Sequence, residues 1–281
     1  MLEPVYMLAI DHRWQWEEWC DAKGVDRSRI NEVKSLAAEA FLASRDSSDV
    51  IRHSGALLVD LTYGRNAFDE AQSAGAIVGT PAERAGAFPL EWTAGFDTAL
   101  PGHFVKVLVR HRSDVAPSVV ASQRLQLSEL QQWCADRGKP FVLEVLVAPA
   151  RGEEAGFDSD GRPRLLASYI TDAYADGLLP DYWKIEGMPS AAALRLVDAA
   201  IREKAGPRQL ILGKGAGLDQ VKQWFASAAG APTAAGFAIG RTVYFDAASN
   251  WLKGALSRDE AIAQIRANYH KVIEAWAGAG T

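Results

Sequence analysis

Several ionisable side chains interrupt runs that would otherwise be apolar, and their types suit one kind of chemistry. Lys106 breaks Phe104-Val-Lys106-Val-Leu-Val109, and Glu144 breaks Phe141-Val-Leu-Glu144-Val-Leu-Val147. Lys184 and Glu186 alternate with Trp183 and Ile185, and Asp11, His12 and Arg13 follow the stretch Tyr6-Met-Leu-Ala-Ile10. Burying a lone charge is costly, so such groups either pair with one another or do work. As a purely structural set they would be internal ion pairs, Lys106 with Glu144 for example. As a working set they suit imine chemistry. A lysine in a desolvated pocket beside a second cation gives up its proton more readily, and the free amine attacks carbonyls. Lys184 is the expected nucleophile and Lys106 the second cation. A neighbouring carboxylate then shuttles protons while the carbinolamine forms and loses water. The protonated imine is an electron sink for carbon–carbon cleavage, which is the chemistry of a class I aldolase.

A second signal lies near the C-terminal end. Gly213-Lys214-Gly215-Ala216-Gly217 and Gly236-Phe-Ala-Ile-Gly240-Arg241-Thr242 each follow or contain a short apolar run. Glycines let backbone N–H groups approach phosphate oxygens, a helix N-terminus adds a favourable field, and an arginine adds a charge-assisted contact. Gly213, Gly215, Gly240 and Arg241 are therefore candidate phosphate ligands. Metal chemistry has little support. The histidines at 12, 53, 103, 111 and 270 include no His-x-x-x-His or His-x-His pair, so a zinc mechanism is not expected and no cofactor is implied. Cys20 and Cys134 stand far apart, as reduced thiols of a cytoplasmic protein would.

Positioning such residues requires alternating strands and helices. Candidate strands fall at 6–11, 56–61, 76–78, 104–109, 141–147, 182–186, 209–213 and 236–239, with helical periodicity between most of them. Ser128 with Gln131 reads as a capping box ahead of a helix that ends before Gly138. Ser190 reads as the cap of an Ala-rich helix, and Ser257 with Glu260 opens the last helix. This alternation predicts a parallel sheet covered by helices. Eight units in 281 residues favour a single (β/α)8 barrel over 1–281, with a doubly wound open sheet as the alternative. In a barrel, Lys184 shares its face with Tyr182 and Glu186, while Trp183 and Ile185 face the helices. The polar stretch 150–164 follows the fifth strand, as either a lid or a surface loop.

A net charge of −5 argues against nucleic-acid or membrane-surface partners, and neither a signal peptide nor a membrane span is expected. The expected partner is a small-molecule sugar phosphate, and assembly into a homo-oligomer is compatible with the sequence.

The chain resembles the class I aldolases of the tagatose 1,6-bisphosphate aldolase type. It is more similar still to the aldolase-like domain fused to some bacterial 5-dehydro-2-deoxygluconokinases of inositol catabolism. The likeness rests on Ala9-Ile-Asp11-His12-Arg13, Gly79-Thr-Pro-Ala-Glu83, Phe104-Val-Lys106, Glu144, Trp183-Lys184-Ile-Glu186 and Gly236 to Thr242. It implies Lys184 as the Schiff-base lysine and Glu144 as the proton shuttle. Lys106, Asp11 and Arg13 would bind hydroxyls, carbonyl or phosphate, and Arg241 would grip a phosphate. His12 stands where the tagatose enzymes carry Gln, and Thr80 where the fused domains carry Arg. The resemblance implies cleavage of a phosphorylated keto-sugar or keto-sugar acid, with 2-deoxy-5-keto-gluconate 6-phosphate as the favoured compound. For that acid's carboxylate, Arg65 and Arg112 are the candidate cations. The alternatives are a Schiff-base lyase or transaldolase on a sulfonated or deoxy sugar phosphate, and a non-catalytic barrel that binds a sugar phosphate.

Overall fold

A computed structural model describes residues 4–93 and 100–280. Eight strands close into one parallel barrel in sequence order: β1 (Val5–Ala9), β2 (Gly55–Leu58), β3 (Ile77–Pro81), β4 (Phe104–His111), β5 (Phe141–Val147), β6 (Tyr182–Glu186), β7 (Arg208–Leu212) and β8 (Ala234–Ile239). Closure is made by β1 against β8, with Val5 opposite Gly236 and Leu8 opposite Ile239. The closed barrel excludes the open sheet.

Helices wrap the outside. After β1 come α1 (Trp14–Lys23), α2 (Ile30–Asp46) and α3 (Asp49–Ser54), and α4 (Arg65–Ser73) follows β2. Then α5 (Pro117–Asp136), α6 (Arg162–Ala175), α7 (Ala191–Ile201) and α8 (Leu218–Ala228) follow β4 to β7 in turn. The chain ends with α9 (Arg241–Leu252) and α10 (Arg258–Gly278). The described residues between β3 and β4 form no helix. No helix among the described residues is long and apolar enough to cross a membrane.

Strand alternation divides the core in two. Val5, Met7, Ala9, Leu58, Phe104, Val142, Tyr182 and Leu210 pack inside the barrel. Leu8, Leu57, Val107, Leu143, Trp183 and Ile185 face the helices, as the pattern around Lys184 requires. Strands β5 and β6 have the expected ends and the others differ by up to three residues; β1 stops at Ala9, which puts Asp11 just past the strand.

The Ser128 capping box is not there. Pro117, with φ preset for a first turn, starts α5 eleven residues earlier, and Gln123, Leu127, Leu130 and Cys134 continue one buried stripe through Ser128. Gln131 instead ties α5 to the next loop, donating to the Gly177 carbonyl at 3.1 Å and accepting from the Leu179 amide at 2.5 Å. The other two caps form as expected: Ser190 accepts from the Ala193 amide, and Ser257 and Glu260 make a full capping box.

Candidate active site

The site builds from the C-terminal ends of the strands, where inward-facing positions emerge from the packed core. Lys106, Leu108 and Arg110 step up the inner face of β4, Glu144 and Leu146 up that of β5, and Lys184 stands on β6. Glu144 and Lys184 are directly opposite each other across β5 and β6. These side chains line a cavity of 360 Å³ together with Asp11, His12, Arg13, Glu83, Gly213, Gly215, Gly240 and Arg241.

At its base the charges form a closed cage. Lys184 Nζ donates to Glu144 Oε2 at 2.8 Å. Lys106 Nζ lies 3.2 Å from the same oxygen, 2.7 Å from Asp11 Oδ2 and 2.7 Å from Glu83 Oε1. Arg13 bonds Glu83 Oε1 at 3.2 Å and the Glu83 carbonyl at 2.9 Å. Lys106, Lys184 and Arg13 thus face Asp11, Glu83 and Glu144, and all six are at most 8% exposed. Burial alone would pull the Lys106 ammonium down, but Asp11, Glu83 and Glu144 push it above the ordinary lysine range. Burial pushes Asp11 up, and the charges of Lys106 and Lys184 outweigh it, holding the carboxyl well below the usual range. Lys106 is therefore a fixed cation held by carboxylates on every side.

A second buried pair supports the rim from behind. Lys34, on α2, and Asp60 meet at 2.7 Å with no exposure at all. Lys34 also donates to the carbonyls of Ile10 and His12, the latter at 2.6 Å, and so fixes the loop that carries Asp11 to Arg13.

Opposite β4, the β7 and β8 loops form a cradle. Arg241 opens α9, and its guanidinium packs on Gly215, where a side chain would come within 3.1 Å of Arg241 Cζ. Thr242 Oγ1 donates to the Ala216 carbonyl at 2.7 Å, locking the start of α9 to the β7 loop. Arg241 Nε is buried without a hydrogen-bond partner among the described residues. A buried donor left unpaired is costly, so the arrangement suits an incoming anion.

Lys184, Glu144, Lys106, Asp11, His12, Arg13, Gly213, Gly215, Gly240 and Arg241 all border this cavity. Glu186 does not. It is taken by Arg162 at 3.3 Å and by Lys214 at 2.5 Å, side chains supplied by the start of α6 and the β7 loop. Those cations claim it before a substrate could. Residues 150–164 do not line the cavity either, and their C-terminal end is fastened by buried Arg162. Arg65 and Arg112 also lie off the cavity, and Arg112 pairs with Asp114 at 2.8 Å. Arg110, two residues earlier on the inner face of β4, lines it instead. Glu83 was missed as a site residue, although it lies in the Gly79–Glu83 motif and stands two residues past β3, as Asp11 does past β1. Among the described residues no group of three or more His, Cys, Asp or Glu is placed to hold a metal ion.

Comparisons with known proteins agree on the architecture. The sequence model of the family described as "Uncharacterized protein conserved in bacteria (DUF2090)" matches residues 1–280. No curated protein matches the sequence. Among solved structures, a Schiff-base-forming fructose-1,6-bisphosphate aldolase is similar at 15% identity and a TM-score of 0.58, covering 96% of this chain and 94% of that one. An archaeal fructose 1,6-bisphosphate aldolase gives 15% identity and 0.59 over 97% and 94%. The fructose-bisphosphate aldolase from Plasmodium falciparum gives 12% and 0.66 over 99% and 90%. At such identities the likeness establishes the barrel fold.

Proposed function

The chain belongs to that bacterial family, and we propose that it is a class I aldolase working through a Schiff base on Lys184. The observation that carries this reading is the Lys184–Glu144 contact of 2.8 Å at the base of the cavity, with Lys106 on the same carboxylate oxygen. A binding protein has no need of a primary amine held against a carboxylate in a buried cleft. An imine enzyme needs both. Resting Lys184 passes a proton to Glu144 and attacks the ketose carbonyl as the free amine. Glu144 returns that proton to the carbinolamine hydroxyl, which leaves as water. The iminium then draws in the electrons of the breaking carbon–carbon bond while Glu144, a carboxylate again, takes the proton of the hydroxyl on the departing carbon, and an aldehyde leaves. Protonation of the enamine and hydrolysis restore the lysine, so no metal is required. Lys106 stays charged throughout and holds Asp11, Glu83 and Glu144 in place.

Arg241, Gly213, Gly215 and Gly240 would receive a phosphate, which fits dihydroxyacetone phosphate as the enamine-forming half. For the other half, the likeness to the inositol-pathway domain favours a carboxylate end, and Arg110 is the cavity cation placed for it. We therefore favour 2-deoxy-5-keto-gluconate 6-phosphate over tagatose or fructose 1,6-bisphosphate, in a cytoplasmic sugar-degrading role.

Borohydride added with dihydroxyacetone phosphate should trap a covalent adduct that peptide mass mapping assigns to Lys184, and Lys184→Ala should abolish it. An adduct on another lysine, or activity lost to a chelator and restored by zinc, would overturn the assignment. Comparison of kcat/KM for the three compounds decides the substrate.

A further inference from the structure

The imine mechanism leaves His12 without a role, although it lines the cavity within reach of the charges of Arg241 and Lys184. Its hydrogen bonds define what it can do. Trp16 Nε1 donates to Tyr244 Oη at 3.0 Å, and Tyr244 Oη lies 3.3 Å from His12 Nδ1. An indole N–H can only donate, so it occupies a lone pair of the phenol and leaves the phenol's own proton to be placed. Tyr244 is fully buried, and His12 Nδ1 is the acceptor beside it. Turning that proton elsewhere would leave a buried donor unpaired, which is costly. Nδ1 therefore accepts. Burial, reinforced by Arg241, Lys34 and Lys184 and only partly opposed by Asp11, keeps the ring well below the usual histidine range and so neutral. Its one proton then sits on Nε2, which has no hydrogen-bond partner among the described residues.

The ring is also held in place. Lys34 takes the His12 carbonyl, and a side chain at position 240 would come within 2.7 Å of His12 Cε1 and 1.8 Å of the Ala9 carbonyl. Only glycine leaves room for the imidazole there.

The geometry points to His12 as a neutral Nε2–H donor to an uncharged substrate oxygen, a hydroxyl or carbonyl, with Tyr244 and Trp16 as positioning residues that set its tautomer. Phosphate has Arg241. A neutral imidazole does not compete for it.

This role rests on the imine reading, and two measurements keep their failures apart. The first uses the full-length protein labelled with 15N-histidine and no ligand. At pH 7 the His12 signals, assigned through His12→Gln, should show a protonated Nε2 and an unprotonated, hydrogen-bonded Nδ1. Tyr244→Phe should move the Nδ1 shift toward that of a nitrogen accepting no bond. An imidazolium, or a proton on Nδ1, would overturn the proposal whatever the enzyme does.

The second is borohydride trapping with dihydroxyacetone phosphate. Wild type that is not trapped refutes the imine, and the nitrogen shifts still decide the tautomer. With wild type trapped, His12→Gln, which keeps an N–H donor, should need a similar ligand concentration. His12→Leu should need about three- to tenfold more, the loss of one neutral hydrogen bond. Equal trapping by His12→Leu and wild type would remove His12 from the reaction. Should His12→Leu not fold, Tyr244→Phe provides the same comparison, with a raised KM and little change in kcat expected.

Discussion

Lys106→Met tests whether the charge cage holds together as a unit. The substitution fills similar space but removes a cation that is 2% exposed and contacts Asp11 and Glu83 at 2.7 Å and Glu144 at 3.2 Å. Lys184 still faces Glu144 and Arg13 still faces Glu83, while Asp11 loses its one ion-pair partner among the described residues. Breaking a buried pair from one side costs about 3–5 kcal/mol. For a chain of this size that is a fall in Tm on the order of 10 °C. The dependence on pH carries more information than the size. In the wild type the Asp11 carboxyl titrates below its unfolded value, so its contribution is present at neutral pH and is lost only as pH falls through that low value. Without Lys106, burial prevails and the folded value rises. The carboxylate then destabilises at neutral pH, and protonation relieves it. The Tm gap between wild type and variant, measured by calorimetry from pH 8 down to pH 5, should therefore narrow as the solution becomes more acidic. A gap under about 2 °C, or one that does not change with pH, would refute the cage as an electrostatic unit.

Two further substitutions address the chemistry. Glu144→Gln should keep the cavity but lower kcat by about 10²–10⁴, the usual worth of a positioned acid–base group. Unchanged turnover in steady-state assays would remove Glu144 from proton transfer. Arg241→Ala should weaken phosphorylated ligands by about 1.5–3 kcal/mol in titration calorimetry, while trapping of unphosphorylated dihydroxyacetone stays largely unchanged. Equal loss for both ligands would make Arg241 structural.

Much of this could be read before any coordinates, because a parallel barrel writes its two faces into each strand. The alternation Tyr182-Trp183-Lys184-Ile185-Glu186 separated the barrel interior from the helix layer, and the interrupting charges at 106, 144 and 184 marked the floor of the site. What escaped depends on loops. Glu83 follows the strand with the weakest apolar signal, and its neighbours are set by a bridge to Trp92 and by Thr93 and Arg13, contacts without local periodicity. Glu186 obeys the strand period, yet Arg162 from the start of α6 and Lys214 from the β7 loop decide what it does. Arg112 was chosen for lying beyond a strand, whereas the same period-two rule selects Arg110. Lys34 sits on the buried stripe of α2 beside Ile30, Val33 and Ala37, where only its distant partner Asp60 makes a lysine tolerable.

The cage around Lys106 has a bearing on the energetics of turnover. On the proposed imine mechanism Lys184 would carry one positive charge as the ammonium and one as the iminium, so Asp11, Glu83 and Glu144 would meet the same electrostatic load in both states. A scaffold set for the first needs almost no dipolar reorganisation to receive the second. The uncharged free amine and carbinolamine are the states it does not favour, and they become brief passages between two wells of matched charge.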